Sequence, residues 1–123
     1  MCYTSRMRKY FKHKIKSLLI INKIVSIHHL QPQTENIKQE KEKHNFWELV
    51  YASNGCVTCT CEDKVIELEA GHILFHEPNE SHSLVCTPGT SAIVVSFDCL
   101  SEAIRFFSKK QLNSQNCNWQ YSW

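Results

Sequence analysis

Glycine and proline are scarce in this chain, with 3 Gly and 3 Pro among 123 residues. That scarcity excludes a collagen-like or low-complexity chain, and with 42% hydrophobic and 11% aromatic residues it excludes a disordered one. Long apolar runs are also missing. The stretch Leu18-Leu19-Ile20-Ile21 covers four residues, where the core of a secretory signal needs about 7–15 and a membrane-spanning helix about 20. No membrane association is expected, and the expected compartment is the cytoplasm. Charge of one sign is missing as well. The formal net charge of +2 excludes a protein that coats nucleic acid by charge alone.

That balance conceals an asymmetry. Arg6, Arg8, Lys9, Lys12, Lys14, Lys16 and Lys23 face no acidic residue within positions 1–24, so the rest of the chain is acidic. Residues 1–21 are read as a basic N-terminal arm, a solvated segment on which no function is built.

Cysteine is plentiful. Seven cysteines form an odd set, and a compartment that keeps thiols reduced disfavours a disulfide framework. Cys56-x-x-Cys59-x-Cys61 suggests a zinc knuckle, but no second cysteine pair is present to close a tetrahedral site. On an alternating strand Cys59 and Cys61 share one face and Cys56 takes the other. They read as small buried or half-buried thiols.

From Asn22 onward, short β-prone runs alternate with turn residues, as in an all-β sandwich or barrel. Strands are expected at Lys23–Leu30, Phe46–Ala52, Cys56–Cys61, Val65–Glu69, His72–His76, Ser83–Cys86 and Ser91–Asp98. Gln31–Lys43 reads as a polar connection, Asn54-Gly55 as a hairpin turn, and Glu62-Asp63-Lys64 and Pro78-Asn79-Glu80 as further turns. The β-branched run from Ser91 to Phe97 reads as a central strand covered on both faces. Residues 101–110 read as one C-terminal helix. Ser101 is its cap, Glu102 lies in its first turn, Ala103, Ile104, Phe106 and Phe107 form its apolar side, and Lys109 and Lys110 lie at its end. Residues 111–123 show neither period and read as an irregular tail.

The most informative spacing is His44-x3-Glu48-x6-Gly55, then Gly71-x6-Pro78-x3-His82. Strand alternation puts His44, Phe46, Glu48 and Val50 on one face and Trp47, Leu49 and Tyr51 on the other. A strand and turn from Gly71 return His82 toward the same cavity. Two histidines and a carboxylate there could line a ligand pocket, hold a metal as a facial triad, or serve as buried hydrogen-bonded partners. His72 and His76, like His28 and His29, read as surface or half-buried strand positions.

His44-Asn-Phe-Trp-Glu-Leu-Val-Tyr-Ala-Ser-Asn-Gly55, Gly71-His-Ile-Leu-Phe-His-Glu-Pro-Asn-Glu-Ser-His82 and Ile93-Val-Val-Ser-Phe-Asp-Cys99 resemble the N-terminal cupin-like sensor domain of AraC-type transcriptional regulators. The resemblance covers roughly residues 22–110, with 22–100 as the sensor domain. It implies a small cupin-like jelly-roll barrel that binds a small-molecule effector, forms a homodimer, needs no cofactor and catalyses nothing. His44 falls on the second histidine of the first cupin motif, Glu48 on its glutamate, Gly55 on its closing glycine and His82 on the histidine of the second motif. His44, Phe46, Glu48 and His82 are the candidate ligand-binding residues, with no metal assigned. Two positions depart from the pattern. The leading histidine of the first motif falls on Glu42, and the Pro-x-Gly of the second reads Pro78-Asn79-Glu80. AraC-type regulators carry about 100 further residues with two helix-turn-helix units, and the 13 residues after Lys110 are too few for even one. Direct DNA binding by this chain is therefore not expected. A small metal-dependent cupin enzyme using the His/Glu/His set stands as the alternative.

Overall fold

The computed structural model describes residues 19–108 and the backbone of residues 111–113. Most of the basic arm, Lys109, Lys110, and the tail from residue 114 lie outside the described residues. The chain forms two facing antiparallel sheets, a small jelly-roll barrel. Strands β1 (Ile21–Leu30), β3 (Trp47–Asn54), β6 (His72–His76), β8 (Ser91–Cys99) and β9 (Gln111–Asn113) build one sheet in the order β1-β8-β3-β6-β9. Strands β2 (Ile37–Glu42), β4 (Cys56–Cys61), β5 (Lys64–Glu69) and β7 (His82–Cys86) build the other in the order β2-β7-β4-β5.

Alternation decides what lies between the sheets. Val50 and Ala52 of β3, Val57 and Cys59 of β4, Leu68 of β5, Leu74 of β6, Leu84 of β7, and Ala92 and Val94 of β8 form the core. Opposite parity on the first sheet seats Trp47, Phe97 and Ile104 in a second cluster on its outer face. β8 lies between β1 and β3, as expected of a central strand, and its outward Ile93 and Val95 are half-buried.

Several sequence expectations need correcting. Gln31–Lys43 is not all connection, because Ile37–Glu42 is a strand paired with β7. Its sequence, IKQEKE, shows no apolar alternation because β2 is a sheet edge, where charged side chains face water and discourage further pairing. Asn54-Gly55 is not a hairpin turn, since β3 pairs with β6 and β8 while β4 pairs with β5 and β7. It is the corner at which the chain changes sheet. Gly55 has φ +69°, and a Cβ there would lie 2.7 Å from Thr90 Cγ2, so the corner demands glycine. Backbone bonds from Gly71 to Ala52 and from Ala70 to Gly55, both 2.8 Å, tie it to the corner between β5 and β6. The two-residue hairpin is Glu62-Asp63, with Cys61 opposite Lys64 and Glu62 at φ +51°.

The C-terminal helix is shorter and tighter than expected, a 3-10 turn over Glu102–Phe107. Ser101 does not cap it. Its hydroxyl accepts a hydrogen bond from the Ile20 backbone N–H (2.6 Å), tying the start of β1 to the end of β8. Of the tail, residues 111–113 form β9 against β6, a segment too short for alternation to reveal. Among the described residues no helix is long and apolar enough to cross a membrane.

Candidate functional site

At one end of the barrel the core turns polar, and strand register explains how. Across the first sheet Ser96, Glu48 and His76 are ladder partners on β8, β3 and β6. Across the second, Glu42, His82 and Cys61 are partners on β2, β7 and β4. These two rows face each other, one step beyond the apolar row containing Val50, Leu74 and Val94. The His76 and His82 rings join the sheets, stacked 4.3 Å apart at 13°.

The structure brings His44, Glu48 and His82 together and adds Glu42. His44 and Phe46 precede β3, so strand alternation does not place them. A local turn does, in which His44 Nδ1–H donates to the Phe46 carbonyl (3.0 Å) and the two rings stack 3.9 Å apart. His44 Nε2 then lies 3.3 Å from Glu48 Oε2 and 3.8 Å from Glu42 Oε1. Ser96 Oγ donates to Glu48 Oε2 at 3.3 Å. His82 Nδ1–H donates to the Glu80 carbonyl (2.9 Å), which turns Nε2 toward Glu42 Oε1 at 3.4 Å and Glu48 Oε1 at 3.5 Å. His82 is 2% exposed and its Nε2 has no close hydrogen-bond partner.

Electrostatics follow this geometry. Burial alone would raise the Glu48 carboxyl, but the adjoining His82 and the charges of His76 and His44 outweigh it and hold the carboxyl below its usual value. Burial likewise opposes charge on His82, and Glu48, the Glu80 carbonyl and Glu42 outweigh it and raise the ring. The pair favours imidazolium and carboxylate.

The same four residues fit a divalent cation, a group found in many cupins. Backbone carbonyls occupy Nδ1 of both histidines, leaving each Nε2 as a donor, and the four donor atoms lie within 4.8 Å of one another. The convergence of the His44 and His82 Nε2 atoms on the Glu42 and Glu48 carboxylates is the observation that favours such a fit.

A second cluster escaped the sequence reading. His76, expected at a surface or half-buried position, is 1% exposed because it lies one strand alternation from Leu74 on the inward face. Its Nδ1 lies 3.2 Å from Cys61 Sγ and 3.0 Å from Glu80 Oε1. Cys61 Sγ lies 2.7 Å from the same Glu80 oxygen. Glu80 stands where the cupin pattern has glycine, and Asn79 before it takes φ +67° to make the turn. Burial would raise the Glu80 carboxyl, but His76 and Cys61 outweigh it and lower it. Burial first, then Glu80, pushes the Cys61 thiol up. The inward parity of Cys61 and His76 was available in the sequence. Their meeting depends on the two sheets facing each other.

Residues 26–110 match the family model described as the AraC-like ligand binding domain. Among solved structures, the chain is similar to Bacillus subtilis oxalate decarboxylase. A tryptophan-to-tyrosine variant aligns with TM-score 0.51 and 16% identity over 68% of this chain and 22% of that one. A tryptophan-to-phenylalanine variant gives 0.51 and 13% over 80% and 24%. A structure described for its Mn(II) centres gives 0.50 and 15% over 68% and 22%. These identities show likeness of fold alone. The chain spans roughly a quarter of the length of the decarboxylase structures. No curated protein matches the chain.

Proposed function

Because the chain belongs to the AraC-like ligand binding domain family, we propose that it is the effector-sensing and dimerisation domain of an AraC-type transcriptional regulator, working in the cytoplasm without turnover. Its effector is a small, neutral, hydroxylated molecule bound by His44, Phe46, Glu48 and His82, with Glu42 at the rim. The carrying observation is the buried His82 Nε2 facing two carboxylates, Glu42 Oε1 at 3.4 Å and Glu48 Oε1 at 3.5 Å. A hydroxyl suits that place because it accepts from an imidazolium and donates to a carboxylate. A free carboxylic acid suits it poorly, since Glu42 and Glu48 repel a second anion. Five free cysteines among the described residues support a reducing compartment.

Dimerisation is supported by β1, a sheet edge on which Ile21, Ile24, Val25 and Ile27 are all exposed. Sedimentation analysis of the wild type and Ile27→Lys tests this, with the variant expected to shift toward monomer.

The metallo-cupin reading is favoured by the donor fit of Glu42, His44, Glu48 and His82. A bound cation would supply a Lewis acid for an oxygen ligand. One experiment separates the two readings. Chelator-treated protein is screened by thermal shift and calorimetry against neutral sugars and polyols, and against carboxylic acids with and without added Mn2+. Binding of a neutral compound that is lost in Glu48→Gln and His82→Ala supports effector sensing. Binding of carboxylic acids only after metal is restored, with turnover, overturns it.

A further inference from the structure

We propose that Cys61, His76 and Glu80 form a binding site for Zn2+, separate from the effector pocket and open to it through no shared donor. The three side chains are 8%, 1% and 3% exposed, and their donor atoms converge to separations of 2.7, 3.0 and 3.2 Å. They come from the end of β4, the end of β6 and the turn before β7, so the assembled barrel alone brings them together.

Hydrogen bonding within the cluster is incomplete. The Cys61 thiol and the His76 Nδ1–H both point to Oε1 of Glu80, while Oε2 is buried with no partner. A buried carboxylate oxygen without a donor is rare in a folded protein and signals a missing ion or other partner. A thiolate, an imidazole and a carboxylate together form the donor set that zinc selects, borderline between soft and hard. Zinc distances of about 2.3 Å to sulfur and about 2.0–2.2 Å to nitrogen and oxygen give donor separations near 3.4–3.6 Å, so the three atoms part by less than about 1 Å to admit the ion. On binding, the ion takes the place of the thiol proton at Cys61 Sγ, which leaves to solvent, while the neutral His76 ring carries its one proton on Nε2 and turns the Nδ1 lone pair to the ion.

Three protein donors leave a fourth position open. A cavity of about 250 Å³ lined by Cys61, Glu62, Asp63, Lys64, Ile66 and Glu80 adjoins the site. It provides an entry path and room for water or a small ligand at that position. The site also adjoins the effector pocket, because the Glu80 carbonyl holds His82 Nδ1 and His76 stacks on the His82 ring.

Cobalt distinguishes this site from the neighbouring one, because only a thiolate ligand produces sulfur-to-metal charge-transfer absorption and the Glu42, His44, Glu48, His82 set has no sulfur. The reduced full chain is titrated with Co2+ and then with Zn2+. The expected result is a charge-transfer band that saturates at about one equivalent and disappears as Zn2+ displaces cobalt. Cys61→Ser abolishes it, Glu80→Gln weakens the affinity at least about tenfold, and Cys56→Ser and His82→Ala retain it. Circular dichroism confirms that each variant is folded. If Cys61→Ser does not fold, Glu80→Gln decides in its place. Absence of the band in the folded wild type, or its survival undiminished in Cys61→Ser or Glu80→Gln, overturns the proposal.

Discussion

His76 lies flat against His82, ring centroids 4.3 Å apart and planes 13° from parallel, so that one imidazole from each sheet closes the polar end of the barrel. Each ring is committed to a different carboxylate, His76 to Glu80 and His82 to Glu48. Two donor clusters therefore share one buried layer.

Stability should peak in mildly acidic solution. The His82 ring is held above its ordinary 6.5, so its contribution is complete below pH 6.5 and is lost as pH rises through the folded value. Glu48 is held below its ordinary 4.5, so its contribution is present above pH 4.5 and is lost as pH falls through the folded value. Both act fully between pH 4.5 and 6.5. Urea denaturation across pH, with chelator present, should show the maximum there. Glu48→Gln should flatten the alkaline limb.

Gly55→Ala should destabilise the barrel by about 1–3 kcal/mol, because it combines a left-handed backbone with a Cβ 2.7 Å from Thr90 Cγ2. Thr90→Ser removes that methyl and keeps the hydroxyl that bonds to Thr87 and Cys86. The double variant should recover part of the loss in thermal or urea denaturation and leave the part due to φ.

Ile104→Ala should cost about 2–4 kcal/mol. Ile104 is the buried residue of the 3-10 turn and covers Trp47 and Phe97 on the outer face of the sheet. The core between the sheets is a separate cluster, so circular dichroism should retain its β signature while the urea midpoint falls.

Thiol reactivity should follow burial. Cys59 and Cys86 are inaccessible, and burial pushes the Cys59 thiol up to about 12, whereas Cys56 lies exposed beside Glu67. Mass-mapped alkylation of native protein should mark Cys56 well before Cys59 or Cys86, and denaturant should erase the difference.

The β architecture is legible in local alternation, since Cys56–Cys61 and His72–His76 alternate cleanly and their ends coincide with the observed strands. Motif spacing also marked His44, Glu48 and His82 as candidates, but a turn before β3 orients His44 and the facing of the two sheets brings His82 to Glu48. Tertiary structure decided the rest. Ile37–Glu42 is a strand because β7 offers it a ladder, and Asn54-Gly55 is a corner because β3 and β4 find partners in different sheets. Glu42 joins the site through its register opposite His82, and Cys61, 15 residues from His76 and 19 from Glu80, meets both only across the closed barrel. Periodicity records which way a side chain points along its own strand. Which groups it meets is set by long-range pairing, whose register no local window contains.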